Sequence, residues 1–119
     1  MVVDDQAEIR SCVADVTRMV AKKISSTATV LEASSAEEAL DLIHLRKYQL
    51  DLLLSDMDMP GKNGLELAAA MKVPTIILTG SPLPEGTKKP ANVTTELLKP
   101  VTSKELLSAI KSALAAKQH

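Results

Sequence analysis

Leu50-Asp51-Leu52-Leu53-Leu54 runs for the length of one strand, closes on Ser55-Asp56, and meets the breaker Pro60-Gly61 within a turn's length. A leucine-rich segment this short, with a proline and a glycine after it, is too short for an independent helix and fits a buried strand over Leu50–Leu54. Such strands belong to parallel sheets covered on both faces. In open α/β sheets the ligand lies beyond the carboxyl ends of the strands. Asp56 therefore reads as a chemical group mounted on a rigid element.

The rest of the chain alternates in the way that reading requires. Met1 to Val3 is apolar and stops at Asp4-Asp5. Ile9, Val13, Val16 and Val20 recur at helical spacing, with Cys12 and Met19 broadening the stripe as expected core positions. Thr29–Ala33 reads as a strand. Ser35 with Glu38 predicts a capping box and a helix that turns Ala36, Leu40 and Ile43 inward. Asn63 with Glu66 predicts another, running through Leu65, Leu67 and Ala68 to Met71. Thr75–Leu78 is a fourth strand ending at Thr79-Gly80, and Thr95–Leu98 a short fifth one stopped by Lys99-Pro100. Thr102 with Glu105 opens a closing helix on Leu106, Leu107, Ile110 and Leu114. Five strands with intervening helices predict an α/β doubly wound parallel sheet.

Between the last two strands the alternation fails. Ser81 to Asn92 holds Pro82, Pro84, Gly86 and Pro90. Each internal proline removes a backbone donor and clashes with the preceding turn. An irregular loop with room for one helical turn is expected there in place of a full helix.

Composition narrows the function. At 119 residues the chain is one domain, over 1–119, with 45% apolar residues and a net charge of −1. That near-neutral charge gives no support for a nucleic-acid footprint. One Tyr, no Phe and no Trp leave nothing on which bases could stack. The lone Cys12 forms no intrachain disulfide, which suits a reducing cytoplasmic setting. No apolar run reaches the ~20 residues that span a bilayer, so no membrane partner is expected. Met1–Val3 is short for a first strand, as if residues preceded it or the chain were a module cut from a longer one.

At the strand ends stand Asp4 and Asp5, then Asp56, Thr79 and Lys99. A doubly wound sheet brings these ends to one edge. Carboxylates crowded there repel one another unless a cation compensates, and Mg²⁺ suits few carboxylates plus waters and a phosphoryl oxygen. Lys99 adds a mobile positive charge, Thr79 a hydroxyl donor, and an aspartate can accept a phosphoryl group as nucleophile. Each residue alone has an ordinary reading: Asp4 or Asp5 as a helix cap, Asp56 as a turn acid, Thr79 as a strand-end threonine, Lys99 as a solvated lysine. Their conjunction at four of five strand ends favours a site. His44 and His119 lack ligand-like partners, and Lys88-Lys89 reads as a solvated pair.

Val2-Val3-Asp4-Asp5, Leu53-Leu54-Ser55-Asp56-Met57-Asp58-Met59-Pro60-Gly61-Lys62-Asn63-Gly64, Ile76-Ile77-Leu78-Thr79-Gly80 and Leu97-Leu98-Lys99-Pro100 together resemble the receiver domain of two-component response regulators and hybrid histidine kinases, over nearly the whole chain. The resemblance implies a flavodoxin-like five-stranded sheet in the order 2-1-3-4-5, with an atypical or reduced fourth helix in this chain. It implies that Asp56 is the phosphoacceptor and that a sensor histidine kinase or histidine phosphotransfer protein is the donor. It further implies that Asp5 binds Mg²⁺ directly and Asp4 through water, with an Asp56 oxygen and the Asp58 carbonyl completing the set. Lys99 and Thr79 would contact the phosphoryl oxygens, and the Lys99–Pro100 bond would be cis.

Glu96 departs from the family, which carries Tyr or Phe at that position as a switch, and the proline-rich segment departs again. The expected function is thus a phosphorelay receiver that catalyses only its own phosphorylation and dephosphorylation, with its signal leaving through the loop. The alternative is a pseudo-receiver that binds partners without phosphate. A third reading is a small flavodoxin-like binding protein or hydrolase of the same fold. A flavin protein would want a phosphate-cradling loop after the first strand, where Asp4-Asp5 would repel phosphate unless metal intervened.

Overall fold

A computed structural model describes residues 1–117; His119 lies outside them. The elements run β1 (Val2–Val3), α1 (Ala7–Ile24), β2 (Glu32–Ala33), α2 (Ala36–Arg46), β3 (Leu53–Asp56), α3 (Gly64–Met71), β4 (Thr75–Thr79), β5 (Val93–Leu98) and α4 (Ser103–Lys117). All four strand pairings are parallel, in the order β2-β1-β3-β4-β5. This is the flavodoxin-like order expected from the sequence.

Two aliphatic cores hold the sheet. Val2, Leu54, Ile76 and Leu78 pack against Val13, Ala14 and Val20 of α1 and Leu106, Ile110 and Ala113 of α4. On the other face, Val3, Ala33 and Leu53 meet Ala36 and Ala39 of α2 and Leu67 of α3. Leu53, Ile76 and Ile77 are fully buried. Truncating any one to alanine would cost about 2–5 kcal/mol, and no aromatic residue shares that burden.

Strand lengths differ from expectation because pairing with neighbouring strands sets them. β1 contributes only two residues, so β2 pairs only at Glu32 and Ala33, while β3 is paired with β4 from Leu53 to Asp56. Val2 stands opposite Glu32 and Leu54. Thr29–Leu31 consequently lies outside β2, and Leu50–Leu52 outside β3. Asp56 becomes the last residue of β3, not the residue beyond it. β5 in turn gains Val93 and Thr94, with an irregularity opposite Thr75 and Ile76.

α1 corrects a second expectation. Its buried stripe is Val13, Ala14, Thr17 and Val20. Cys12 and Met19 are seven residues apart, so they lie together about 140° from the centre of that stripe. Cys12 is exposed and Met19 is 62% exposed.

Helix starts follow their caps closely. Asn63 and Glu66 exchange both hydrogen bonds of a capping box, and so do Thr102 and Glu105. Ser35 accepts from the Glu38 amide, but the Glu38 carboxylate takes the Ser34 hydroxyl, so only half of that box forms.

No helix joins β4 to β5. The connecting segment carries one turn, in which the Thr87 amide and hydroxyl both donate to the Pro84 carbonyl. Leu97 packs into the α1/α4 side, so Glu96 and Leu98 turn to the opposite face, where this connection provides no helical cover. Leu98 is 49% exposed. Glu96 instead pairs with Lys89 of the connecting segment, which corrects the expectation that Lys89 is merely solvated. A charged residue suits an open strand face, so the missing aromatic and the missing helix are one structural fact. Asn92 fixes the end of the segment: its Nδ2 donates to the Ala68 and Val73 carbonyls at 2.9 and 2.7 Å, covering the end of α3.

Candidate functional site

The carboxyl ends of β1, β3, β4 and β5 meet at one edge, and there the chemistry collects. Lys99, just after β5, donates from Nζ to Asp56 Oδ1 at 2.9 Å and to Asp4 Oδ2 at 3.3 Å. Asp4 and Asp56 are buried, while Asp5 is exposed. One carboxylate oxygen from each of Asp4, Asp5 and Asp56 lies within 4.8 Å of the others. Oxygen donors at that spacing suit a hard divalent cation.

Each side chain is held by its element. The second Asp4 oxygen accepts the Gln6 amide at 2.9 Å, so this acid also steadies the entry to α1, the ordinary role weighed for it from sequence. The Lys99 amide donates to the Thr79 carbonyl at 2.8 Å, which fixes the lysine to the end of β4. The Lys99–Pro100 bond is cis. Beyond β3, the Met57 amide donates to the Leu78 carbonyl and the Gly64 amide to the Met57 carbonyl. Gly64 is required here: a Cβ on it would lie 2.5 Å from the Asp56 carbonyl oxygen. Gly61, at φ +81°, makes the turn between them.

Burial raises the Asp56 carboxyl above its ordinary value of 3.8. Repulsion from Asp4 adds to this, and Lys99 with the Asp58 backbone N–H opposes it. Burial works against the charge on Lys99 too, but its hydrogen bond to Asp56 and the charges of Asp56 and Asp4 outweigh it and leave Lys99 above 10.5. The result is an electron-rich carboxylate in a low-dielectric corner, partly neutralised by one ammonium.

Asp58 enters through its backbone, and its exposed side chain stands outside the acidic cluster. Thr79 is buried, with its hydroxyl donating to the Ser81 carbonyl at 2.7 Å. It is thus engaged with the loop that leaves β4. A mostly apolar cavity of about 440 Å³, lined in part by Met1, Tyr48, Leu52 and Leu114, lies at the other end of the sheet and shares none of these groups.

The response regulator receiver domain family matches residues 1–111, and the chain belongs to that family. It is similar to the transcriptional regulatory protein CpxR of Escherichia coli (strain K12), with 32% identity over 120 residues, covering 96% of this chain and 48% of the relative. DesR of Bacillus subtilis (strain 168), also a transcriptional regulatory protein, is 35% identical over 92 residues, covering 73% and 45%. The chain spans about half the length of the curated relatives it matches. Among solved structures it resembles the receiver domain from the hybrid histidine kinase CckA, with 30% identity, a TM-score of 0.71 and 95% of each chain covered. A receiver domain protein from Clostridium thermocellum matches at 26% identity and a TM-score of 0.76, covering 98% of this chain and 94% of that one. Among the described residues no helix is long and apolar enough to cross a membrane.

Proposed function

We propose that the chain is a single receiver domain, over residues 1–119, whose Asp56 takes a phosphoryl group from a phosphohistidine on a histidine kinase or phosphotransfer partner. The observation that carries this is the buried Asp56 carboxylate at a strand end, 2.9 Å from Lys99 and within reach of Asp4 and Asp5. In the step, an Asp56 oxygen attacks phosphorus, the phosphorus–nitrogen bond breaks, and the electron pair returns to the imidazole, which is left neutral or takes a proton from water. Membership in the receiver family supports this reading, because receiver domains of response regulators accept phosphoryl groups from histidine kinases.

Asp4, Asp5 and Asp56, with the Asp58 carbonyl, would hold Mg²⁺, which when bound supplies positive charge against the phosphoryl oxygens. Lys99 already points at the acceptor oxygen and would pair with a phosphoryl oxygen. Thr79 would exchange its bond to Ser81 for one to the phosphoryl group, and release of Ser81 passes the change into residues 80–92. Dephosphorylation would be hydrolysis, in which water attacks phosphorus, the bond between the Asp56 oxygen and phosphorus breaks, and the carboxylate and inorganic phosphate are released.

Beryllofluoride, a phosphoryl mimic, should raise the melting temperature of the wild type in the presence of Mg²⁺ by simple linkage. Asp56→Asn should show no such rise. An equal rise in both proteins would overturn the assignment.

A further inference from the structure

Beside the acidic corner lies a cation that the reading above does not use. Arg10, on the first turns of α1, donates from Nη1 to the Asp4 backbone carbonyl at 2.9 Å. Its Nε lies 3.6 Å from Oε1 of Glu32, the first residue of β2, and its side chain is 21% exposed. The other Glu32 oxygen takes Arg18 at 2.8 Å. Glu32 is therefore clamped between two arginines and in turn restrains the Arg10 fork.

The carbonyl that Arg10 grips belongs to the peptide bond joining Asp4 to Asp5. The Asp4 side chain has its own restraints in the Gln6 amide and Lys99, whereas Asp5 is exposed. Fixing the Asp4 carbonyl fixes the peptide plane from which Asp5 departs. We infer that Arg10 is a positioning residue for the divalent-cation site, setting the direction of the Asp5 carboxylate through the Asp4–Asp5 peptide, with Glu32 holding Arg10 in place. This inference rests on the reading of Asp4 and Asp5 as cation ligands.

Two effects of Arg10 oppose each other, which makes the inference sharp. As a positive charge near the site it disfavours a second cation. As a donor to the ligand backbone it preorganises the ligands, and partners of this kind typically change metal affinity by roughly 10–100-fold. Charge alone predicts that removing Arg10 tightens Mg²⁺ binding. Positioning predicts that it weakens binding.

The test is a calorimetric Mg²⁺ titration of folded wild type, Arg10→Met, Arg10→Lys and Glu32→Gln, each below its unfolding transition, with Asp56→Asn as the site control. Arg10→Met should bind roughly 10-fold more weakly despite losing a positive charge. Arg10→Lys, which keeps one donor, should recover part of that loss, and Glu32→Gln should weaken binding less than Arg10→Met does. Arg10→Met affinity equal to or above wild type, or no recovery in Arg10→Lys, would overturn the inference. Absence of Mg²⁺ binding by the wild type itself would overturn the cation reading and the inference with it, a result separable from the first because it appears before any Arg10 variant is compared.

Discussion

Lys99 Nζ stands 2.9 Å from Asp56 Oδ1, and the two groups have opposite effects on the folded state. Lys99 is the hydrogen-bonding cation for two buried carboxylates. Removing it as Lys99→Met leaves both without that partner and should lower stability by about 1–3 kcal/mol. Asp56→Asn removes one of the mutually repelling acids and should hold or raise stability. Urea unfolding at neutral pH measures both.

The difference between wild type and Asp56→Asn should depend on pH. An acid whose folded pKa is raised binds more protons folded than unfolded between its two pKa values, so falling pH favours the folded state there. The penalty for an ionised Asp56 is present in full above its raised pKa and gone below 3.8. Lys99, raised above 10.5, contributes fully throughout this range and loses its contribution only as pH rises through its raised pKa. The stability advantage of Asp56→Asn is thus largest near neutrality and shrinks as pH falls into the carboxylate range. Melting temperatures of the two proteins across that range check this; an advantage that grows on acidification would contradict it.

Gly64→Ala places a Cβ 2.5 Å from the Asp56 carbonyl oxygen. Overpacking of this kind costs about 1–3 kcal/mol, and relief requires the end of β3 to move. The variant should therefore lose stability and label more slowly at Asp56. Unchanged labelling with lost stability would show that the helix yields and the strand does not.

Loss of the Thr79–Ser81 hydrogen bond on phosphorylation should disturb the loop. Amide shifts on beryllofluoride binding should spread from Thr79 through Lys99, including the neighbourhood of the Lys89–Glu96 pair. Shifts confined to residues adjoining Asp56 would mark phosphate relay without conformational output.

Much of this arrangement was legible because the sheet puts chemistry where strands end. An apolar run followed by Asp56, Thr79 or Lys99 specifies both the element and the edge, and Asn63 with Glu66 announces its helix directly. What stayed hidden depended on partners distant in sequence. The extent of β2 is set by a two-residue β1 and that of β3 by its pairing with β4, which no local pattern in Thr29–Ala33 or Leu50–Leu54 reveals. Periodicity placed Cys12 and Met19 at the margin of a stripe without saying on which side of it they fall. Glu96 read as a missing aromatic, and its meaning came only with the absent helix and Lys89. Asn92 and Arg10 gave no signal, because each acts on backbone carbonyls brought near by the fold.

Intact mass after incubation with acetyl phosphate and Mg²⁺ tests the central claim most directly. The account predicts that the wild type gains the mass of one phosphoryl group, that omitting Mg²⁺ suppresses the gain, and that Asp56→Asn shows none. A wild type that remains unmodified, or an Asp56→Asn protein that labels as readily, would contradict the claim that Asp56 is the phosphoacceptor.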